Sequence, residues 1–568
     1  MNIRISLFIS VISLSWLMLS CEDVLDLNAT DSLSDQAIWS TESAAEAYIT
    51  ASYKTFTDVS QVFNSRSQFY DSYTDLMKST DWQTYAPYNR ALMESNSFSR
   101  GSAGSFDCWS DVYVRIRRAN VLLDEMNRYA VSNYGEDWCN IRRAEVRLCR
   151  AFSYYRLIRV YGGVIIRTEY SGVDGGLDDG ANPANVHRAR ASEADSWKFV
   201  LNELKWAAEH LPDSWPSKWE GRATRKTAYG FISRMALYAK EWDEAAEAAE
   251  KVKELGAGLA PDYAKIFKVQ QDGGIDKDVA KEMLFVLYGL PKSVTHSYDK
   301  YNRPYGDLAV YGSSVYAEHV PTAELADLYE YKDGAAFDWN NWSLNHANPF
   351  TDREPRFQAT VMYNGSRWES REIQTYTGGN DAFQAFSKAS SPNGHTCTGY
   401  YLRKYLQESY STFITDQSFQ YDAVLRYAEI LLNKAEAYAE MDYGLNRDKA
   451  LAALNEVRTR VNLPAKTATD APDKQAFMNI LRRERCVELA GEGFRYWDLR
   501  RWKLAENFIH GKMAHGVRVT KNTDNTFTYD EIDCDGGSTR FFYSNYYYFS
   551  LPGSEVSNNN LCKDNDGW

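Results

Sequence analysis

The sequence of 568 residues is poor in the side chains on which many catalytic and metal sites depend. It has only 8 His residues, no HExxH zinc motif, no GxSxG nucleophile elbow and no glycine-rich phosphate loop. Its 8 Cys residues show no CxxC spacing, so the sequence predicts neither a zinc site nor a disulfide framework. These absences argue against an enzyme, and we expect no cofactor and no metal.

The chain also lacks an excess of positive charge and has few long apolar runs. The net charge of -13 argues against a nucleic-acid partner, because such proteins hold phosphates with clustered Lys and Arg. After residue 21 no apolar stretch reaches the roughly 20 residues that a helix needs to cross a bilayer. We therefore expect a soluble body.

The first 20 residues have the pattern of an export signal. Arg4 precedes an apolar run from Ile5 to Leu19, which is too short to span a membrane. The run ends at Ser20-Cys21, which resembles a bacterial lipobox, and this resemblance predicts that Cys21 is acylated. The acidic residues just after Cys21 are similar to the surface-export signals of some Gram-negative lipoproteins. We expect a lipid anchor in the outer membrane, with the chain on its outer face.

Helical periodicity dominates two parts of the remaining sequence. Residues 223–256 predict a pair of helices joined at Glu241-Trp242-Asp243, with Asp243 as the N-cap. A second pair turns around Tyr443-Gly444, and the apolar face of its first helix recurs at steps of 3 and 4: Leu425, Ala428, Leu432, Ala435 and Ala439.

Two further stretches, Val112–Arg128 and Ile141–Val160, fit the same architecture. Their small and aromatic residues resemble tetratricopeptide units. We predict about four helix pairs, forming a mostly α scaffold with long loop-rich insertions and a few short strands. Cys149 and Cys486 fall within helical patterns and are predicted to be small core residues.

Segments from both ends of the chain resemble the SusD/RagB lipoproteins. They are, in chain order, Arg143–Val164, Gly221–Ala228, Trp242–Ala245, Pro321–Leu325, Asp333–Gly334, Asp352–Phe357, Leu425–Leu432, Ala453–Arg458, Arg482–Trp502 and Phe549–Val556. The resemblance implies a SusD-like fold and a protein that binds glycans, or peptides in the RagB branch. It also implies a partner, a SusC-like TonB-dependent transporter, on which such proteins sit as a lid.

This resemblance divides the chain into a signal peptide (1–20), a helical N-terminal region (21–256) and a C-terminal region (257–568). The C-terminal region contains a loop-rich ligand-binding portion and the returning helix pair. A surface-tethered glycoside hydrolase is the alternative from another class of protein. It would need two convergent carboxylates about 5–9.5 Å apart in an aromatic cleft.

The loops supply the candidate ligand contacts, because binding residues are often carried by loops on a rigid scaffold. An early loop combines flat rings with hydrogen-bonding side chains, without a helical period that would assign them to the core: Asp75, Asp81, Trp82, Tyr85, Tyr88 and Asn89. The middle loops supply similar material: Tyr298, Tyr301, Tyr305, Trp339, Trp342, Arg367 and Trp368. Aromatic rings cover the apolar face of a sugar, and polar side chains pair with its hydroxyls.

Glu484 and Glu488 are one helical turn apart and share a face, as a catalytic carboxylate pair could. Six arginines crowd the same stretch: Arg482, Arg483, Arg485, Arg495, Arg500 and Arg501. Arginine lowers a neighbouring carboxylate pKa, which suits an ion-pair network and not a general acid. We predict a structural role for both carboxylates, and core packing for Phe494, Tyr496, Trp497 and Trp502.

Overall fold

The computed structural model describes residues 35–82, 87–168, 187–389, 394–408 and 410–568. The predicted signal peptide, Cys21 and Tyr85 lie outside these ranges. The longer helices are α1 (Glu42–Thr50), α2 (Trp109–Glu125), α3 (Glu136–Tyr161), α4 (Glu193–His210), α5 (Arg225–Ala239), α6 (Trp242–Glu254), α7 (Tyr427–Arg460), α8 (Lys474–Glu488) and α9 (Arg495–Arg501). Shorter α-helices span Asp35–Ile38, Lys54–Thr57, Ser65–Gln68, Tyr88–Met93, Val131–Tyr134, Lys277–Ala280, Tyr298–Asn302, Asp307–Tyr311, Ala323–Ala326, Pro355–Thr360, Ala505–Ile509 and Gly553–Asn558.

Helices α2 to α8 pack in succession, each against the next along the chain. Helix α7 leaves helical geometry at Asp442 (φ -166°, ψ 104°), so it consists of two helices across a kink. With its halves counted separately, eight segments follow one another in this described scaffold, equivalent to four pairs. The predicted mostly α, tetratricopeptide-like fold is confirmed.

Side-chain caps fix where several of these helices begin. Thr224 and Thr227 form a reciprocal capping box at the start of α5, and Ser192 caps α4. Gly230, within α5, allows close approach to the sheet, because a Cβ there would lie 2.5 Å from Leu425 Cδ2. Helix α5 therefore packs directly on strand residues.

Three details of the predicted helix pairs were wrong. Glu241, not Asp243, is the N-cap of α6, and Asp243 lies in the first helical turn. Leu425 belongs to a strand, because α7 begins only at Tyr427. Gly444 does not end a helix, since the break falls at Asp442 and the chain continues as helix through the glycine.

The described strands form five two-stranded antiparallel sheets. Their strands are β1 (Met77–Ser79), β2 (Met283–Leu287), β3 (His319–Pro321), β4 (Val361–Met362), β5 (Arg367–Trp368), β6 (Arg371–Glu372), β7 (Tyr401–Leu402), β8 (Asp422–Arg426), β9 (His515–Lys521) and β10 (Phe527–Asp533). The sheets are β1–β3, β2–β8, β4–β7, β5–β6 and β9–β10. Three of them, β1–β3, β2–β8 and β4–β7, pair strands that are separated by other elements in the sequence.

One large apolar core includes residues of the helical scaffold and of the loop-rich C-terminal region. Cys149 and Cys486 are buried in it, as predicted. The seven cysteines of the described ranges are free thiols. No helix among the described residues is both long and apolar enough to cross a membrane.

Candidate ligand-binding site

The β1–β3 ladder brings the early loop against the middle loops. Met77 pairs with Pro321, and Ser79 pairs with His319. Beyond the strand ends, the Thr80 amide donates to the Glu318 carbonyl at 2.9 Å. The loop that follows β1 and the segment that precedes β3 therefore lie side by side.

Beside this ladder, two tyrosines and an arginine form a partly exposed surface, which we name the Tyr301 shelf (Arg66, Tyr301 and Tyr316). The rings of Tyr301 and Tyr316 stack with centroids 5.3 Å apart and planes at 28°. The Arg66 guanidinium lies 4.4 Å from the Tyr301 ring centroid, and its Nη1 donates to the Tyr301 hydroxyl at 3.4 Å. Tyr316 is 41% exposed, which is unusual for so large an apolar side chain.

Backbone bonds hold the two rings in place. Tyr316 N donates to Lys300 O at 3.1 Å, and Glu318 N donates to Tyr301 O at 2.6 Å. These two bonds tie the strand-like residues 316–318 to the end of the short helix Tyr298–Asn302. The backbone alone therefore holds the two tyrosines in position, and no bound ligand is needed to order them.

Glu318 is a buried carboxyl group that binds Arg66 of the Tyr301 shelf. It is only 3% exposed, and Arg66 Nε donates to its Oε2 at 3.3 Å. Burial raises the pKa of Glu318 to about 7, Arg66 opposes that rise, and the nearby Asp81 adds to it. Its other oxygen, Oε1, is buried without a hydrogen-bond partner. The carboxyl thus binds a proton near neutral pH.

The early-loop candidates differ in burial: some are partly exposed and others are buried. Asp81 is half-buried and follows Thr80, whose amide donates to the Glu318 carbonyl, while the Glu318 amide donates to the Tyr301 carbonyl. The backbone therefore brings the predicted residues Asp81 and Tyr301 to the same place. Asp75 instead forms a two-pronged ion pair with Arg495, at 2.9 and 2.7 Å. That pair fastens the early loop to α9, and a ligand-contacting role for Asp75 stays a prediction.

Three more early-loop residues prove to be packing residues. Tyr88 is fully buried, and its hydroxyl accepts from Phe69 N and donates to Ser65 O. Asn89 is 1% exposed and donates to the carbonyls of Ser79 and Asp81. Trp82 is 8% exposed and meets Phe386 edge-on. Their lack of an apparent helical period in the sequence does not reflect exposure, because all three side chains are buried.

The middle-loop candidates divide similarly. Tyr298 and Trp368 are fully buried, with Tyr298 donating to Lys404 O and the Trp368 indole to Asp307, so neither offers its ring to a ligand. Trp339 is half-buried and donates to Asp327 Oδ2 at 2.7 Å. Trp342 is half-buried, edge-on to Tyr529.

Arg367 is exposed, and Tyr305 stacks on His395 with centroids 3.6 Å apart. Neither residue is among the contacts of the Tyr301 shelf. A ligand-contacting role for Trp339, Trp342 and Arg367 stays a prediction.

Sequence reasoning missed Arg66, Tyr316 and Glu318. Arg66 stands between two serines in a stretch with no binding motif, and it lies 235 residues from Tyr301. Tyr316 and Glu318 lie just before a strand of three residues, which is too short for a period to be recognised. The proximity of Tyr316 to the predicted Tyr301 in sequence was the only usable signal.

Glu484 and Glu488 form a buried ion-pair network, as predicted, but with other arginines. Glu484 pairs with Arg356 at 2.6 Å and with Arg458 at 2.9 Å. Glu488 pairs with Arg356, Arg426 and Arg460 at 2.6 to 3.0 Å.

Burial by itself would raise the Glu488 pKa, but the three guanidinium groups outweigh it and hold the pKa well below its usual range. Such a carboxylate cannot serve as a general acid near neutral pH. Of the predicted core aromatics, Tyr496 and Trp497 are buried, Phe494 packs against the core, and Trp502 is half-buried. Within the described ranges, no group of three or more His, Cys, Asp or Glu side chains is arranged to hold a metal ion.

Comparison with known proteins covers almost the whole chain. The SusD family model matches residues 281–568, and a model described as starch-binding, associating with the outer membrane, matches residues 24–237. SusD-like protein P2 of Formosa agariphila is 24% identical over 493 residues, which span 84% of this chain and 83% of that protein.

Solved structures show the same fold. A SusD-like protein from Bacteroides fragilis aligns with a TM-score of 0.76 and 25% identity, over 94% of this chain and 99% of that one. A SusD-like carbohydrate-binding protein from the same species aligns with a TM-score of 0.74 and 22% identity, over 93% and 100%.

Proposed function

This chain belongs to the SusD family, and from that membership we propose that it captures glycan chains at the cell surface and passes them to a TonB-dependent outer-membrane transporter. The family description supports carbohydrate binding and association with the outer membrane. The lipid anchor at Cys21, the outer face and the SusC-like partner are parts of the proposal. The lipobox at Ser20-Cys21 and the acidic residues after it support the anchor and the outer face. The partner is inferred from family membership alone.

The Tyr301 shelf is the observation that carries the glycan-binding proposal. A sugar presents an apolar C–H face and a rim of hydroxyls. The stacked rings of Tyr301 and Tyr316 match the first, while Arg66 and Asp81 lie beside them to meet the second. Contacts at such a partly exposed surface stay wet and reversible, as transfer to a transporter requires.

A glycoside hydrolase is a weaker candidate. Glu318 has the raised pKa of a general acid, but it is 3% exposed and is bound by Arg66. Glu484 and Glu488 are enclosed in an arginine network. None of these three carboxyl groups is placed to reach a glycosidic oxygen in this structure.

A peptide-binding member of the same family is the second alternative. It differs from the glycan binder in its ligand and not in its fold. The half-buried rings of Trp339 and Trp342 would serve either ligand, because an aromatic ring also packs against apolar peptide side chains.

The test is binding of the purified chain to a panel of neutral and charged oligosaccharides, polysaccharides and peptides. For the best glycan, calorimetry should show that Tyr316→Ala weakens binding at least about tenfold, which is about 1.4 kcal/mol. The melting temperature should stay nearly unchanged, because Tyr316 is 41% exposed.

Tyr543→Ala is the matched control, since Tyr543 is 36% exposed and lies outside the shelf. Recovery of the glycan intact is expected after incubation. Binding of peptides alone, glycan cleavage, or an unchanged affinity in Tyr316→Ala would contradict the proposal.

A further inference from the structure

A cleft of about 780 Å³ opens among the scaffold helices and shares no residue with the Tyr301 shelf. Its walls come from α3 to α9 and from Tyr547 and Tyr548. The volume falls within the range of small-molecule sites, about 300–1,000 Å³. We name it the helical cleft.

The helical cleft is cationic, although the whole chain is acidic. Its cationic residues are Arg159, Lys240, Arg482, Arg500, Arg501 and Lys503, and its acidic residues are Glu193, Glu436 and Glu440. The acids are already engaged. Glu436 binds Arg501 and the Trp502 indole, Glu440 pairs with Lys474 outside the cleft, and Glu193 accepts from Tyr548.

Five of the six cations, all except Arg501, form no ion pair with any carboxylate of the described residues. Burial and the neighbouring Arg500 and Lys240 lower the pKa of Lys503, against the opposing effect of Glu193. Burial also lowers the pKa of Arg482, with Glu436 and Glu440 opposing it. The positive charge of the cleft is therefore incompletely neutralised.

Buried donors at the same place have no acceptor. Trp497 is 3% exposed and Arg500 is 4% exposed, yet the indole Nε1 of the first and the Nε of the second donate to nothing. The Nε atoms of Arg159 and Arg482 are also buried without a partner. Leaving a buried donor unmatched costs about 1–3 kcal/mol. These four atoms are closed to solvent, so the groups open to a ligand are the charged ends and the aromatic rings of the cleft walls.

Aromatic rings complete the walls. Trp242, Trp502, Tyr238 and Tyr547 are half-buried along the cleft. Lys503 Nζ lies 4.3 Å from the centroid of the Tyr547 ring. The cleft thus offers apolar ring faces together with unneutralised cations, which match the C–H face and the charged groups of an acidic sugar.

We propose that the helical cleft is a second binding site, which takes an anionic saccharide, a sugar chain bearing carboxylate or sulfate groups. An acidic peptide suits it less well. The walls are mostly helices, whose backbone groups bond internally, so they offer no sheet edge along which an extended peptide could pair. The proposal stands independently of the shelf.

Calorimetry on the full mature chain with two anionic probes and one neutral probe tests this proposal. The probes are an oligogalacturonate, a sulfated carrageenan oligosaccharide and a malto-oligosaccharide of the same length. We expect binding of at least one anionic probe, weakened by added salt because the charges are partly exposed. The two anionic arms distinguish carboxylate from sulfate as the recognised group.

The double variant Arg482→Gln, Lys503→Asn should weaken that binding at least about tenfold. Asn is chosen because Lys503 has a left-handed backbone (φ 56°), which Asn tolerates. The matched control is Arg518→Gln, Lys292→Asn, which removes the same charge at exposed sites and includes another left-handed lysine (φ 66°). The control should leave binding unchanged, and both double variants should melt near the wild type.

Several results would overturn the proposal. They are no binding of either anionic probe, equal binding by the cleft variant and the wild type, or binding of an acidic peptide alone. Loss of anionic binding in Tyr316→Ala but not in the cleft variant would assign the anionic ligand to the shelf and would equally refute the second site.

Discussion

At the scale of single residues, exposure separates binding from packing among chemically identical side chains. Tyr88 and Tyr316 are both tyrosines near the β1–β3 ladder, but Tyr88 is fully buried and Tyr316 is 41% exposed. Only the second can give its ring face to a sugar. Trp82, at 8% exposure, is buried as Tyr88 is.

Trp82→Ala should therefore lower stability before it affects ligand binding. Truncating a buried aromatic side chain typically costs about 3–5 kcal/mol, through lost burial and the cavity that remains. Denaturant unfolding should show a lower midpoint for Trp82→Ala than for Trp219→Ala, a tryptophan that is not buried. An unchanged midpoint with weakened glycan binding would restore Trp82 to the ligand site.

Glu318 gives a second prediction at this scale, in its pH dependence. Burial raises its pKa from 4.5 to about 7 in the folded state, with Arg66 opposing. A carboxyl that holds its proton more tightly when folded adds stability as the pH falls from about 7 towards 4.5. At about 1.4 kcal/mol per pKa unit, the change is on the order of 3 kcal/mol.

Glu318→Gln removes this titration. The melting temperature of the wild type, relative to Glu318→Gln, should therefore rise as the pH is lowered from 8 to 5. The exposed Glu372→Gln is the control and should show no such trend. A difference that stays constant with pH would mean that Glu318 is charged throughout this range.

At the scale of elements, a buried ion-pair network joins the returning helices to the loop-rich part. Glu488 at the end of α8 meets Arg426 of β8, Arg460 at the end of α7 and Arg356 of the helix Pro355–Thr360. Four separate elements therefore meet at one carboxylate. Removing one partner of such a network leaves buried charge uncompensated.

Glu488→Gln should lower the unfolding free energy by about 3–5 kcal/mol. Glu254→Gln, which removes an exposed pair with Lys251 on α6, should change it far less, because solvent screens an exposed pair. Denaturant unfolding of the two variants measures the difference. Equal effects would mean that the arginines find other partners and that the network does not hold these elements together.

At the scale of the whole molecule, the proposal requires an anchor and a partner. Acylation of Cys21 would tether the chain, and several acyl chains make such an anchor stable. Cys21→Ala should leave the protein out of the membrane fraction and unlabelled by a fatty-acid probe. A variant that still sediments with outer membrane and still incorporates the probe would place the anchor elsewhere.

A lid on a transporter needs a large interface, commonly about 2,000–5,000 Å² for a lasting complex. The rigid helix pairs α2 to α8 are the face we expect towards it. Affinity purification from native membranes in mild detergent should recover a TonB-dependent barrel in near-equal amount. Recovery of the chain alone would count against the transporter partnership while leaving glycan binding untouched.

The sequence by itself determined the helical scaffold, the family and the structural role of Glu488. Helix periodicity is local, since residues three and four apart share a face whatever surrounds them. The pairs at 223–256 and around Tyr443 were therefore predictable to within a few residues. The crowding of arginines predicted an ion-pair network, although the actual partners Arg356, Arg426 and Arg460 come from other elements.

Only the tertiary structure decided which loop aromatics are exposed and which residues meet. The short β1–β3 ladder brings Arg66 to Tyr301 across 235 residues, and no local pattern encodes that pairing. Trp82, Tyr88 and Tyr316 all stand in segments without helical period, so their sequence context is equivalent. Packing buries the first two and leaves the third exposed, because burial depends on what the rest of the chain places over a residue.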